Sequence, residues 1–291
     1  MRSAFGAWLI RQRIARVALT AALLPLFGLF SAAIVVCTAA VKGWREAGID
    51  CAIALSLLLA ITGFSGEPPQ SLLFSAASTW GLALLMGGLA GQYGSLTLPI
   101  QALIMVSSLA LTLFSAAVSD VQAFWAPILT GMADQLQQVG IELTDVDAIV
   151  AMAPIMSGLF AAGTVASSIA ALMLGCWWAG GAKGQPFGDL FINLRLGYVI
   201  GILAALAGLG ALLNLQPLSG NLLLIAGTGF WFQGLAVVHW HVVKRQLPRV
   251  LLILVYLPLF MGASLVVMAL FLFAAVGFID NWYGLRRANT D

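Results

Sequence analysis

Charge is what this sequence has least of. Only 8% of its 291 residues are Asp, Glu, Lys or Arg, against about 25% in an ordinary soluble domain. A chain so poor in charge cannot cover a globular surface with solvated groups, which excludes a water-soluble fold. The net charge is +2, which argues against a nucleic-acid partner. No basic residue at all lies between Glu46 and Ala182. Cysteine is scarce too: Cys37, Cys51 and Cys176 sit in or beside apolar runs without paired spacing, so neither a disulfide framework nor a zinc motif is expected. There is no Walker A sequence, no Gly-x-Ser-x-Gly elbow and no His-Glu-x-x-His. The two histidines, His239 and His241, are two positions apart and face different sides of a helix. With no nucleophile, metal or acid–base set, the expectation is a protein that is not an enzyme and uses no cofactor.

Apolar residues fill the space left by charge, making up 62% of the chain. The clearest run lies within residues 219–245. From Leu222 to Val238 it is apolar except for Thr228 and Gln233, long enough to cross a hydrocarbon core of ~30 Å at ~1.5 Å per residue. It ends in His239, Trp240, His241, Lys244 and Arg245, the aromatic ring and fixed positive charge of a helix leaving the bilayer on its cytoplasmic side. Other apolar segments cover 17–41, 48–65, 70–91, 95–118, 149–178, 197–215 and 250–279. Together they predict an all-α polytopic helical bundle of about eight spans forming one membrane domain, 1–291. Residues 1–16 read as a basic interfacial N-terminus and 17–118 as the first four apolar segments. Residues 119–148 are an acidic stretch, 149–279 the last four segments and 280–291 a tail. The N-terminal arginines before an apolar run imitate a signal peptide, but the later spans favour an uncleaved first segment.

Charge distribution sets the expected topology. Asp120, Asp134, Glu142, Asp145 and Asp147 lie in the acidic stretch, which has no basic residue and belongs outside. Within it, 126–139 has the apolar spacing of a short amphipathic helix. Lys42, Arg45, Lys183, Arg195, Lys244, Arg245 and Arg249 belong inside. Eight single crossings would then strand Arg2, Arg11, Arg13 and Arg16 outside. The conflict vanishes if residues 14–41 form a broken hairpin turning near Pro25 and Gly28, and 250–279 can break likewise at Pro258 and Gly262. Such breaks are tolerated in a membrane only where protein or water satisfies the backbone.

Small residues recur every four positions at Gly158, Ala162, Ala166 and Ala170, and at Gly197, Gly201 and Ala205. Such stripes let helices approach closely. Gln233 is an amide inside an apolar span, and Gln101 and Asn214 lie inside others, so they are expected to face the bundle. For Gln233 both a ligand contact and a structural bond between helices remain open. Charged side chains are expected only at span ends, which weakens a proton-pump reading.

The C-terminal half also carries distinctive strings. They are Pro186-Phe-Gly-Asp-Leu-Phe-Ile-Asn193-Leu-Arg195-Leu, Gln233-Gly-Leu-Ala-Val-Val-His239-Trp, Tyr256, and Asp280-Asn-Trp282 before Arg286-Arg287. With Lys42-Gly-Trp-Arg-Glu-Ala-Gly48 they resemble the YybS-like family of bacterial membrane proteins, strongest over about 186–287. The general architecture is similar to the substrate-binding membrane subunits of energy-coupling-factor transporters. The resemblance implies a multi-pass protein of the bacterial inner (plasma) membrane. The expected function is small-molecule binding or transport, as the membrane subunit of a larger transporter whose ATPase would be a separate partner. The alternative is a non-transporting scaffold or assembly factor for an envelope complex. Expected partners are lipids, an unidentified small-molecule ligand and other membrane or ATPase subunits, and the candidate ligand-binding residues are Gln233, Asn193, Arg195 and His239.

Overall fold

The computed structural model describes residues 4–65, 69–141, 145–183, 186–248 and 250–286. Arg2, Glu142 and Arg249, used above as topology markers, and Arg287 of the distinctive C-terminal strings lie outside the described residues. Within them the chain forms helices and turns and no strand. The helices are α1 (Ala4–Arg11), α2 (Arg13–Leu26), α3 (Gly28–Lys42), α4 (Trp44–Ser65), α5 (Gln70–Tyr93), α6 (Thr97–Ala117) and α7 (Val121–Gln138). After these come α8 (Val146–Val150), α9 (Met156–Lys183), α10 (Phe187–Ile192), α11 (Gly197–Leu212), α12 (Leu218–Lys244), α13 (Val250–Tyr256) and α14 (Ala263–Tyr283). Helix dominates because a backbone in hydrocarbon must satisfy its own N–H and C=O groups. Six of these helical segments are long and apolar enough to cross a bilayer, by length and composition: α4, α5, α6, α9 with the turns before it, α12 and α14. Helices α3 and α11 are apolar but shorter. The result is a multi-pass all-α bundle.

The first apolar run is broken, and at the place the charge pattern requires. Helix α2 has 14 residues with Pro25 in its last turn, and α3 has 15. At ~1.5 Å per residue neither spans ~30 Å. They turn back at Phe27, whose φ of −143° and ψ of 64° leave the helical region. Protein groups stabilise the turn. Ser31 Oγ donates to the Thr20 carbonyl at 2.7 Å, and Trp80 Nε1 donates to Ser31 Oγ at 2.9 Å. Every residue of α3 from Ser31 to Ala40 is buried, as expected of a helix that is apolar all round. Its neighbours meet it through glycines. A Cβ on Gly175 of α9 would lie 2.6 Å from the Ala33 carbonyl, and one on Gly91 of α5 would lie 2.7 Å from that of Ala40.

Charged side chains near the helix ends are not all exposed. Arg16 is 0% exposed and Asp50 3%. The Asp50 carboxylate accepts from Arg16 Nε at 2.7 Å and Arg13 Nε at 2.9 Å. Arg16 also reaches Glu46 at 3.1 Å, and Lys42 pairs with Glu46 at 2.9 Å. The cluster fastens the hairpin to α4, so arginines that look like membrane-surface anchors are internal ties. It also brings Arg13, Arg16 and Lys42 to one end of the bundle. Lys183 joins them there, donating to the Ala40 carbonyl at 2.7 Å. The interfacial segment α1 likewise packs inward. Leu9 is fully buried, and the Phe5 ring meets that of Trp178 edge-on at 4.9 Å.

The opposite end carries the acidic stretch. The expected amphipathic helix forms as α7, starting earlier than its apolar spacing indicates because Asp120 caps it, accepting from Ala123 N at 2.9 Å. Asp145 caps α8 in the same way. Trp125 Nε1 donates to Ser157 Oγ at 2.7 Å and ties α7 to the start of α9.

The small-residue stripes are only partly packing faces. Gly158 is pressed against Asn221, but Ala162, Ala166 and Ala170 are half-buried. The fully buried line of α9 is Val165, Ile169, Leu172 and Cys176. On α11 Gly201 is buried and Ala205 exposed. The tightest helix crossing lies elsewhere, where Gly234 of α12 is pressed against the Phe273 backbone of α14 and Gly277 against that of Phe230. The last apolar run breaks as its Pro and Gly indicate. A 3₁₀ turn over Leu257–Phe260 and Gly262, with φ 115°, separate α13 from α14.

Two outcomes follow. Gly175→Val is expected to lower thermal stability in detergent by about 1–3 kcal/mol or more, through overpacking against α3, and Ala166→Val by less. Equal effects measured by thermal shift would mean that α3 and α9 do not touch at Gly175. Cysteine at the exposed position 134 is expected to react with an impermeant maleimide in intact cells, after permeabilisation of any outer membrane. The native cysteines are all buried and should stay silent. Labelling only after the membrane that holds the protein is ruptured would invert the orientation.

Candidate functional site

Between α10 and α11 the chain runs non-helically from Asn193 to Leu196. Gly197 then opens α11 at φ 74°, a left-handed conformation that favours glycine. A non-helical segment inside a membrane bundle needs outside partners for its peptide groups. Here other helices supply them as side chains. Gln233 Oε1 accepts from Leu196 N at 2.9 Å, and Gln101 Nε2 donates to the Leu196 carbonyl at 2.6 Å. Asn281 both accepts from Gly197 N at 2.8 Å and donates to the Gly197 carbonyl at 2.9 Å. Thr97 Oγ1 accepts from Arg195 N at 3.3 Å. Arg286 donates to the carbonyls of Ile192 at 2.7 Å and Leu194 at 2.8 Å.

A second set of bonds joins these partners to one another. Gln233 Nε2 donates to Asp280 Oδ2 at 2.8 Å. Asp280 is 1% exposed and pairs with Arg286 at 2.7 Å. A buried carboxylate is tolerated only when its lone pairs are met by such donors. The network thus clamps the 192–197 segment between α6, α12 and α14.

Above this floor lies a cleft of about 240 Å³ lined by Asn193, Arg195, Trp240, Asp280, Gly284 and Arg286. Arg286 is fully engaged below it. Arg195 is exposed and donates through Nη2 to the Asn281 carbonyl at 3.2 Å. Among the described residues its Nε and Nη1 have no partner. Asn193 is exposed and donates through Nδ2 to the Asp189 carbonyl at 2.8 Å, and among the described residues its Oδ1 has no partner. Two guanidinium groups against one carboxylate give the cleft an excess positive charge, suited to a small anion.

The structure therefore brings Asn193 and Arg195 together and sets Gln233 beneath them, fully buried. Gln233 reaches the cleft only through Asp280. His239 faces another way. Its Nε2 shares a hydrogen bond with the Tyr256 hydroxyl at 2.8 Å, and its ring meets Phe191 edge-on at 5.2 Å. The sequence reading placed Asp280 and Arg286 in a tail and Gln101 inside a span, without assigning them to a site. The one available signal was a carboxylate closing an apolar helix with an arginine six residues on. No family model, curated protein or solved structure matches this chain.

Breaking the floor is expected to cost more than trimming the cleft. Asp280→Leu leaves Arg286 uncompensated in a buried site, and removal of one partner of such a pair typically costs about 3–5 kcal/mol. Asp280→Asn keeps an acceptor and is expected to cost less. The measurement is thermal unfolding in detergent. Equal stability of wild type and Asp280→Leu would show that the pair does not hold the segment.

Proposed function

We propose that this protein is a membrane-embedded subunit that binds a small molecule carrying an anionic group, as part of a transport system. The observation that carries this reading is Arg195, with two unengaged donor nitrogens in a positively charged cleft beside Asn193. A recognition group works best when its backbone is held still, and the buried network below does that. The basic end of the bundle faces the cytoplasm on the positive-inside tendency, so the cleft opens at the cytoplasmic face of a bacterial inner membrane. With no nucleotide-binding motif in the sequence, energy from ATP would come from a partner subunit.

One observation favours the alternative of a non-transporting scaffold or assembly factor. Both polar ends of Gln233 are spent on internal bonds, as in a purely structural residue. Substitution separates the two. If Arg195 recognises a planar anion, Arg195→Lys loses function while the protein still accumulates, because lysine lacks the guanidinium fork. Deletion-strain complementation, with membrane abundance measured for each variant, is the assay. Full rescue by Arg195→Lys and Gln233→Leu together would leave the scaffold ahead.

A further inference from the structure

The end of the bundle that gathers Arg13, Arg16 and Lys42 holds more positive charge than its own acids neutralise. Its ion pairs form one chain, from Arg13 to Asp50, Asp50 to Arg16, Arg16 to Glu46 and Glu46 to Lys42. Three bases thus share two carboxylates, and they are not equally engaged. The Arg16 side chain is 0% exposed, whereas that of Arg13 is 52% exposed. Arg13 donates to Asp50 through Nε alone, and among the described residues its Nη1 and Nη2 have no partner. More unpaired charge lies beside the chain. Arg16 Nη1 donates to the Ile10 carbonyl at 3.1 Å, which brings the end of α1 to the cluster, and Arg11 is the next residue. Arg45 precedes Glu46 on α4, its guanidinium 5.5 Å from the Trp44 ring centroid. Arg11 and Arg45 are exposed, and among the described residues neither meets a carboxylate. The surroundings of the Arg13–Asp50 pair are apolar. Arg13 opens α2 and Asp50 lies in the second turn of α4, so both helices lead away from the charged end. Beside the pair, Ile14 is 88% exposed and Ile49 54%, and Ile53 is exposed one turn further along α4.

We propose that this end of the bundle carries a structural site for an anionic phospholipid, independent of the cleft at Arg195. The lipid phosphate takes the two free Nη nitrogens of Arg13, and its chains lie along Ile14, Ile49 and Ile53. A guanidinium group matches phosphate oxygens in both charge and hydrogen-bond geometry. Arg11 and Arg45 add attraction without needing direct contact, as basic residues at a bilayer surface do for anionic lipid. Trp44, 64% exposed, and Trp8, 45% exposed, are side chains enriched at the headgroup level. The chemistry recognised is a phosphate anion, and the apolar flank assigns it to a lipid in preference to free phosphate. The bound lipid neutralises the charge that Asp50 and Glu46 leave over. It thereby holds the start of α2 against α4, where the broken hairpin is already fastened by its own ion pairs.

The test is native mass spectrometry of the detergent-purified full chain, titrated with phosphatidylglycerol, with phosphatidylcholine of the same chains, and with inorganic phosphate. Phosphatidylglycerol is expected to bind at least fivefold more tightly than phosphatidylcholine and to resist displacement by millimolar inorganic phosphate. Arg13→Gln is expected to weaken phosphatidylglycerol binding fivefold or more. Asp50 keeps Arg16 when Arg13 is replaced, so the hairpin retains its main tie. Arg11→Gln breaks no ion pair among the described residues and is expected to weaken binding at least twofold; it serves where Arg13→Gln does not fold. Arg245→Gln, at an exposed position closing α12, is the control and is expected to change binding less than twofold. Equal binding of the two lipids would overturn the site. So would ready displacement by inorganic phosphate, which would mark a soluble-anion site. An Arg245→Gln effect as large as that of the Arg13 or Arg11 variant would also overturn it, since the attraction would then belong to basic residues in general. None of these outcomes bears on the cleft.

Discussion

An unsatisfied peptide group in hydrocarbon costs several kcal/mol, and much of this structure is arranged around two places where its helices stop and other helices supply the missing partners. One is the turn at Phe27 between α2 and α3, and the other is the 192–197 segment between α10 and α11. Each is closed by side chains from other helices. At the first, Ser31 bonds the Thr20 carbonyl and receives Trp80. At the second, Gln101, Gln233, Asn281, Thr97 and Arg286 serve seven backbone groups between Ile192 and Gly197. Nearly every polar side chain buried in the C-terminal half on the basic side belongs to this second closure.

The same constraint explains why charge is buried in a protein with so little of it. Arg286 with Asp280 sits beside the 192–197 segment, and Arg16 with Asp50 sits at the other end of α2 from Phe27, beside its junction with α1 at Gln12. A guanidinium group has five donors in a fixed plane, so one arginine can neutralise a carboxylate and also reach a carbonyl. Arg286 does both, bonding Asp280, Ile192 and Leu194. Arg16 does the same with Asp50, Glu46 and Ile10. Lysine, as a single point charge on a flexible stem, would do this less well.

Function, on the reading proposed, grows from the second break. Holding residues 193–196 in a non-helical path turns Arg195 outward at a fixed place, while its neighbours Leu194 and Leu196 are buried. A continuous helix through this region would have no such cleft. The network therefore supplies both stability and the geometry of recognition, and Gln233 takes part in both without touching a ligand.

Sequence alone determined the fold class, because apolar runs of this length, with so few charges, admit no other spanning structure than helices. It also marked where the first and last runs could break, at Pro25 and Gly28 and at Pro258 and Gly262, without deciding between a single crossing and a hairpin. Asn193 and Arg195 were legible as polar residues beside a span, and Gln233 as an amide in need of a partner. Tertiary structure decided the rest. Only packing showed that Gln233 meets Asp280 and Leu196, that His239 turns to Tyr256 and away from the cleft, and that the tail arginine Arg286 lies under the site. The helix contacts were equally hidden, because a four-residue spacing of small side chains marks where helices can approach, not which neighbour comes close. Partners separated by 84 to 95 residues, such as Gln101 with Leu196 and Asn281 with Gly197, leave no periodic trace in a single sequence. Their proximity is set by how the helices cross.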